Sequence, residues 1–269
     1  ERVRLRRAGY ARAALGLEDG ALALTARRAA RARDALEAVT DGLLADALRD
    51  PRLTSAGVFA WEWPPGSLPD ELAIRMLMRV VAAVGGGDAP LRLARAERLV
   101  VEMGAEGFGG ATLGRCVIAP VRGRASATGA GPWFMIYREP DRAVLPVVDT
   151  DLRRPTTWDN RFVIERLGPE CETVRVRCVT HDDLAATGLA GPQGRDVVHG
   201  IPFDALRSTP AIETTDGRVM LPALGQLADL KGDSVIKAAC GTGYGVRFLA
   251  ERLIKAGRGG RRIRFSIDQ

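Results

Sequence analysis

Four side chains of this sequence have the chemistry of soft-metal ligands: Cys171, Cys178, His181 and His199. Zinc sites built from such residues show close C-x-x-C or H-x-x-x-H pairs, and that spacing is absent here. Cys178 also continues the apolar alternation of Val174 and Val176, where a small thiol packs as a hydrophobe. With two histidines in the chain, and no Ser or Cys in a nucleophile-elbow context, a hydrolytic triad has little support. The run Gly241-Thr242-Gly243-Tyr244-Gly245 imitates a loop that holds S-adenosylmethionine. Such a loop follows the first strand of a doubly wound sheet and needs most of that domain downstream, but the chain ends at Gln269. Gly85-Gly86-Gly87-Asp88 follows a helical pattern rather than a strand, and Gly232-Asp233-Ser234 lacks paired glycines. Neither suits a pyrophosphate held by backbone N–H groups at a helix N-terminus. These residues give no convincing nucleotide or metal site.

The chemistry that remains is cationic. The chain carries 39 Lys plus Arg against 33 Asp plus Glu, a net charge of +6, and only Lys231, Lys237 and Lys255 are lysines. A planar guanidinium fork suits phosphates and base edges, so the composition favours a polyanionic partner. A GC-rich genome would also raise the Arg and Ala counts without any such partner. Arg2, Arg4, Arg6 and Arg7 stand close together, followed by Arg27, Arg28, Arg31 and Arg33, then Arg92, Arg95 and Arg98. Arg27 and Arg31 are i,i+4 neighbours on one helix face. The competing reading is a solvated helix face balanced by Asp34, Glu37 and Asp41. Taken as a set, the arginines favour RNA.

The elements that must position them differ in period. Residues 18–48 read as a helix rich in Ala, Arg and Leu, with Leu36, Val39, Leu43 and Ala47 as its core stripe. A second helix is expected from about Asp70 to Val84, closed by Gly85-Gly86-Gly87, with Leu72, Met76, Leu77, Val80, Val81 and Val84 inward. A third starts near Leu91 and stops at Met103-Gly104, burying Leu93, Ala96, Leu99, Val100 and Met103. After Gly110 the pattern turns to strands over Thr112–Val121 and Trp133–Tyr137, then Thr173–Val179 and Arg262–Ile267. Residues 143–155 read as a connector. The expected fold is therefore α+β: a helical domain with a β-hairpin over 1–148, then a mostly β module over 149–269. No apolar run approaches the roughly 20 residues that cross a bilayer, and four cysteines in such a chain do not make a disulfide scaffold. The cytosol is the expected compartment.

Five segments, taken in order, resemble bacterial tRNA(Ile)-lysidine synthetase. Glu1-Arg2-Val3-Arg4-Leu5-Arg6 looks like the family's Arg-rich segment closing its catalytic domain. Ile74-Arg75 through Gly85-Gly86, with Leu91 to Leu99, resembles its paired substrate-binding helices. Thr112-Leu113-Gly114, the strand Cys116-Val117-Ile118 and Tyr137-Arg138-Glu139-Pro140 look like its Thr-Leu-Gly-Gly hairpin, with Arg115 in place of the second glycine. Trp158-Asp159-Asn160-Arg161-Phe162 resembles its Trp-Asp-x-Arg-Phe element, and Ser208 to Pro222 its Ser-x-Pro-Ala…Asp-Gly…Pro stretch. The resemblance implies that the chain begins in mid-protein and corresponds to the C-terminal region, without the N-terminal ATP-pyrophosphatase domain. The whole enzyme would adenylate the wobble cytidine of a CAU-anticodon isoleucine tRNA and ligate free lysine to it. ATP and Mg²⁺ would bind the absent domain, with no cofactor and no catalytic residue in this piece, which alone is expected to be inactive. Its expected partner is that tRNA, met by Arg4, Arg6, Arg7, Arg27, Arg28, Arg31, Arg33, Arg92, Arg95, Arg98 and Arg161. No membrane is expected, and a homodimer stays open. A stand-alone RNA-binding module without catalysis is the alternative.

Overall fold

A computed structural model describes residues 9–10, 14–16, 19–47, 56–62, 68–87, 91–121, 133–140, 144–167, 173–191, 201–230, 240 and 244–249. It is α+β, with antiparallel sheets throughout. Residues 43–254 make one compact unit, and the first part of the long helix, to residue 42, belongs to another.

That helix, α1 (Asp19–Ala47), is built from strong helix formers. Its buried positions are Thr40 and Leu44, with Leu36 and Leu43 half-buried. The expected stripe is thus rotated: Val39 is 50% exposed. Thr40 tolerates burial because its hydroxyl donates to the Leu36 carbonyl at 2.7 Å.

The compact unit is organised around strand β4 (Trp133–Arg138), one of two inner strands of a sheet ordered β1-β4-β3-β2. Its companions are β1 (Phe59–Glu62), β2 (Ala111–Leu113) and β3 (Cys116–Pro120). The expected strand over residues 112–121 is really two strands joined by a tight turn at Gly114-Arg115. Phe134 and Ile136 join one core with Leu77, Val80, Leu99 and Met103, from α2 (Asp70–Val84) and α3 (Leu93–Gly104). Met135 and Tyr137 point the other way, into a second core with Leu184, Leu206 and Leu224. Those three come from α4 (His181–Ala186), α5 (Phe203–Arg207) and α6 (Pro222–Leu230). A strand covered on both faces reads as an unbroken apolar run, as Trp-Phe-Met-Ile-Tyr does. Helix α2 is buried nearly all round, whereas α3 buries only Ala96, Leu99, Val100 and Met103 and leaves Leu93 exposed, against expectation.

Two further sheets complete the unit. In the first, ordered β10-β9-β8-β5, β8 (Val174–Cys178) pairs with β5 (Val148–Thr150) and β9 (Pro210–Thr214), and β10 is Val219–Met220. The segment read as a connector therefore contributes a strand. The second, β11-β7-β6, is formed by Tyr244–Phe248, Phe162–Arg166 and Thr156–Trp158. Both cores draw on residues from either side of position 148. The last expected strand, over residues 262–267, lies outside the described residues.

The arginines of β8 are consumed by the fold. Arg175 Nε reaches Asp149 Oδ1 at 3.1 Å, and Arg177 bridges Asp183 at 2.7 Å and Glu213 at 3.1 Å. Asp183 also closes the capping box of α4 with Thr180. Burial alone would raise the Asp183 carboxyl, but hydrogen bonds from Arg177 and Thr180 outweigh it and hold the group below the ordinary carboxylate range.

Candidate nucleic-acid interface

Arginines in this protein divide by what their guanidinium groups touch. On α1, Arg27, Arg28, Arg31 and Arg33 are all exposed. Arg33 is spoken for by Asp34, at 3.0 Å. Arg27, Arg28 and Arg31 form no ion pair with a described residue, so their charge is directed at solvent. At α3, Arg92, the residue just before the helix, and Arg98 are exposed, and Arg95 is half-buried. None of those three is neutralised by a described carboxylate either. Exposed unpaired guanidinium groups on regular helices keep their hydration and their fixed spacing, which suits a phosphate backbone. Arg4, Arg6 and Arg7 lie outside the described residues.

Arg161 has a different setting. Its side chain is 0% exposed and sits in the β6–β7 hairpin, where Asp159 and Asn160 adopt left-handed backbone (φ 48° and 53°). Asp and Asn tolerate that region better than other side chains. Arg161 Nε donates to Asp159 Oδ2 at 2.6 Å, and Nη2 to the Ser208 carbonyl at 2.5 Å. Arg138 Nε, 1% exposed, meets the same Asp159 oxygen at 3.3 Å, and its Nη1 donates to the Arg115 carbonyl at 3.3 Å. The Arg161 guanidinium also lies 5.0 Å from the centroid of the Phe162 ring. Burial pulls Arg161 down to about 10, partly offset by Asp159, so it stays charged at neutral pH. The expected tRNA contact at Arg161 is therefore a fully enclosed cation; its guanidinium offers no surface to RNA.

This buried cluster gathers most of the recognisable motifs. Gly86 (φ 61°) is pressed so closely on the hairpin that an added Cβ would lie 2.2 Å from the Asp159 carbonyl and 2.8 Å from Arg161 Cγ. At Gly85 a Cβ would meet the Gly114 carbonyl at 2.2 Å. Cys116 seals the same corner, its thiol donating to the Val81 carbonyl at 3.5 Å, and burial pushes that thiol up to about 12. A neutral buried thiol is a packing group. The space around Gly85 and Gly86 is filled by protein backbone, so this glycine run does not fit a triphosphate. Of the decoy loop at 241–245, Tyr244 and Gly245 open strand β11 and the rest lies outside the described residues, as do Cys171 and His199. Among the described residues no three His, Cys, Asp or Glu side chains group to hold a metal, and no helix is long and apolar enough to cross a membrane.

Sequence reasoning missed Arg138, Asp159 and Ser208 as a unit because they lie far apart in the chain, and a buried ion cluster has no periodicity. It noted Arg115 only as a departure from a glycine motif. The structure places Arg115 at an exposed turn with left-handed backbone (φ 67°).

Against known proteins, the chain is 31% identical over 233 residues to the tRNA(Ile)-lysidine synthase of Ruegeria pomeroyi, a match that covers 84% of this chain and 48% of that protein. The chain thus spans about half the length of the curated relative it matches. No family model and no solved structure matches it.

Proposed function

This chain is a relative of tRNA(Ile)-lysidine synthase, and on that premise we propose that it grips and orients tRNA for lysidine formation. The observation that carries the reading is the set of exposed arginines on α1 and α3 that no described carboxylate neutralises, beside others that are fully paired inside the fold. A base reacts at a useful rate only in near-attack geometry, and a misplacement of about 1 Å costs roughly 100-fold. Holding the body of the tRNA from outside the reacting centre supplies that geometry. It also supplies selectivity for a CAU-anticodon isoleucine tRNA, since RNA helices are read through shape, phosphates and 2′-hydroxyls. The contacts proposed are Arg27, Arg28, Arg31, Arg33, Arg92, Arg95 and Arg98, with Arg4, Arg6 and Arg7 added from the sequence resemblance. ATP, Mg²⁺ and lysine are assigned to the catalytic part of such an enzyme, and no catalytic residue is assigned here.

Charge reversal tests this directly. The Arg27→Glu/Arg31→Glu variant, titrated against tRNA by gel shift over a salt series, is expected to lose close to two units of salt slope, at about 0.9 per duplex phosphate. An unchanged slope removes α1 from the interface.

A further inference from the structure

Among the described residues, Arg115 is the one arginine with left-handed backbone, and no described residue uses its side chain. It occupies the second position of the two-residue turn joining β2 and β3, after Gly114, and both residues are left-handed (φ 56° and 67°). Glycine takes such a position freely, whereas a side chain there is strained. The other non-glycine residues with positive φ have evident compensation. Asp159 and Asn160 are tolerant types, and Leu152 is 3% exposed, so packing repays it. Arg115 is exposed, and no described residue holds its guanidinium. Its backbone, in contrast, is pinned: its carbonyl accepts from Glu139 N at 3.0 Å and from the buried Arg138 Nη1 at 3.3 Å. The result is a cation presented at a fixed point on the surface. Beside it lies a shallow depression bordered by exposed Ala82 and half-buried Leu91, Gly87 and Gly114, with the fully buried Val81 beneath. Arg92, exposed and unpaired, follows Leu91 directly.

We propose that Arg115 is a further RNA-contacting residue: its guanidinium binds a phosphate of the tRNA, while the ribose or base edge of the same nucleotide lies against Ala82 and Leu91. A bare anion would make no use of the apolar wall; a nucleotide uses both. The inference rests on the tRNA-binding reading above and adds a site to it. Strain kept at a surface residue points to function, since a glycine at this position would relieve it.

The test is Arg115→Gly in the full chain, read for both stability and tRNA affinity. The thermal midpoint should rise by a few degrees, because the strain is relieved, while the tRNA Kd weakens about three- to tenfold and the salt slope falls by just under one unit. Arg115→Lys should recover most of the salt slope without the rise in midpoint. If Arg115→Gly leaves affinity and slope at the wild-type values, Arg115 makes no phosphate contact and the inference fails alone. A midpoint that falls refutes the strain on which it rests. Should the wild-type chain itself fail to bind tRNA, the broader reading falls, and this site with it.

Discussion

At the scale of single residues, the deciding question for each arginine is whether burial or solvent meets its charge. Arg138 and Arg161 share one carboxylate, Asp159, inside the protein. Two cations and one anion away from water are tolerable only because the Arg115 and Ser208 carbonyls take the remaining donors shown, and an aromatic face lies over Arg161. Asp159→Asn keeps the shape and the left-handed backbone of the turn but removes the charge. Breaking a buried pair in this way should cost about 3–5 kcal/mol in urea or thermal unfolding. A loss under about 1 kcal/mol would mean that hydrogen bonding, not charge, holds the cluster. By the same logic Arg161 belongs to the interior, although its residue type and its motif made it a natural candidate for RNA contact.

Elements are joined here by close backbone approaches, and glycines mark where. The C-terminal end of α2 touches the β2–β3 turn at Gly85 and the β6–β7 hairpin at Gly86. Gly86→Ala therefore adds a methyl where a carbonyl oxygen already sits, at a backbone conformation that alanine resists. The expected loss is about 2–4 kcal/mol, combining overpacking and conformational strain. Gly217→Ala is the matched control: that glycine also has positive φ (81°), but nothing lies within 4 Å of its added Cβ. It should cost about 1–2 kcal/mol, the conformational part alone. Equal losses at the two positions would show that the α2–hairpin contact is loose. Hairpin geometry was hard to foresee from composition because Gly114-Arg115 interrupts an apolar run that otherwise reads as one continuous strand.

For the whole molecule, the proposed interface rests on two arginine sets carried by different helices. If one tRNA engages both, reversal of Arg27 and Arg31 and reversal of Arg92 and Arg98 should each lower the salt slope. The combined variant should lose close to the sum in log affinity, as independent contacts do. A combined loss no larger than that of either pair alone would show that a single set meets the RNA. Strand β1 and the short helices α4, α5 and α6 were not legible in the chain. The three N-terminal helices and their order, the change to strands after residue 110 and the α+β class were, because periodicity and glycine or proline punctuation are local properties. So was the likeness to lysidine synthases, carried by short motifs in a fixed order. Only the folded chain decided which charges are spent inside. Residues 86, 138, 159, 161 and 208 share a cluster because the end of α2, β4, the β6–β7 hairpin and the end of α5 converge there. Burial and pairing depend on neighbours brought in from far along the chain, and no local pattern records them.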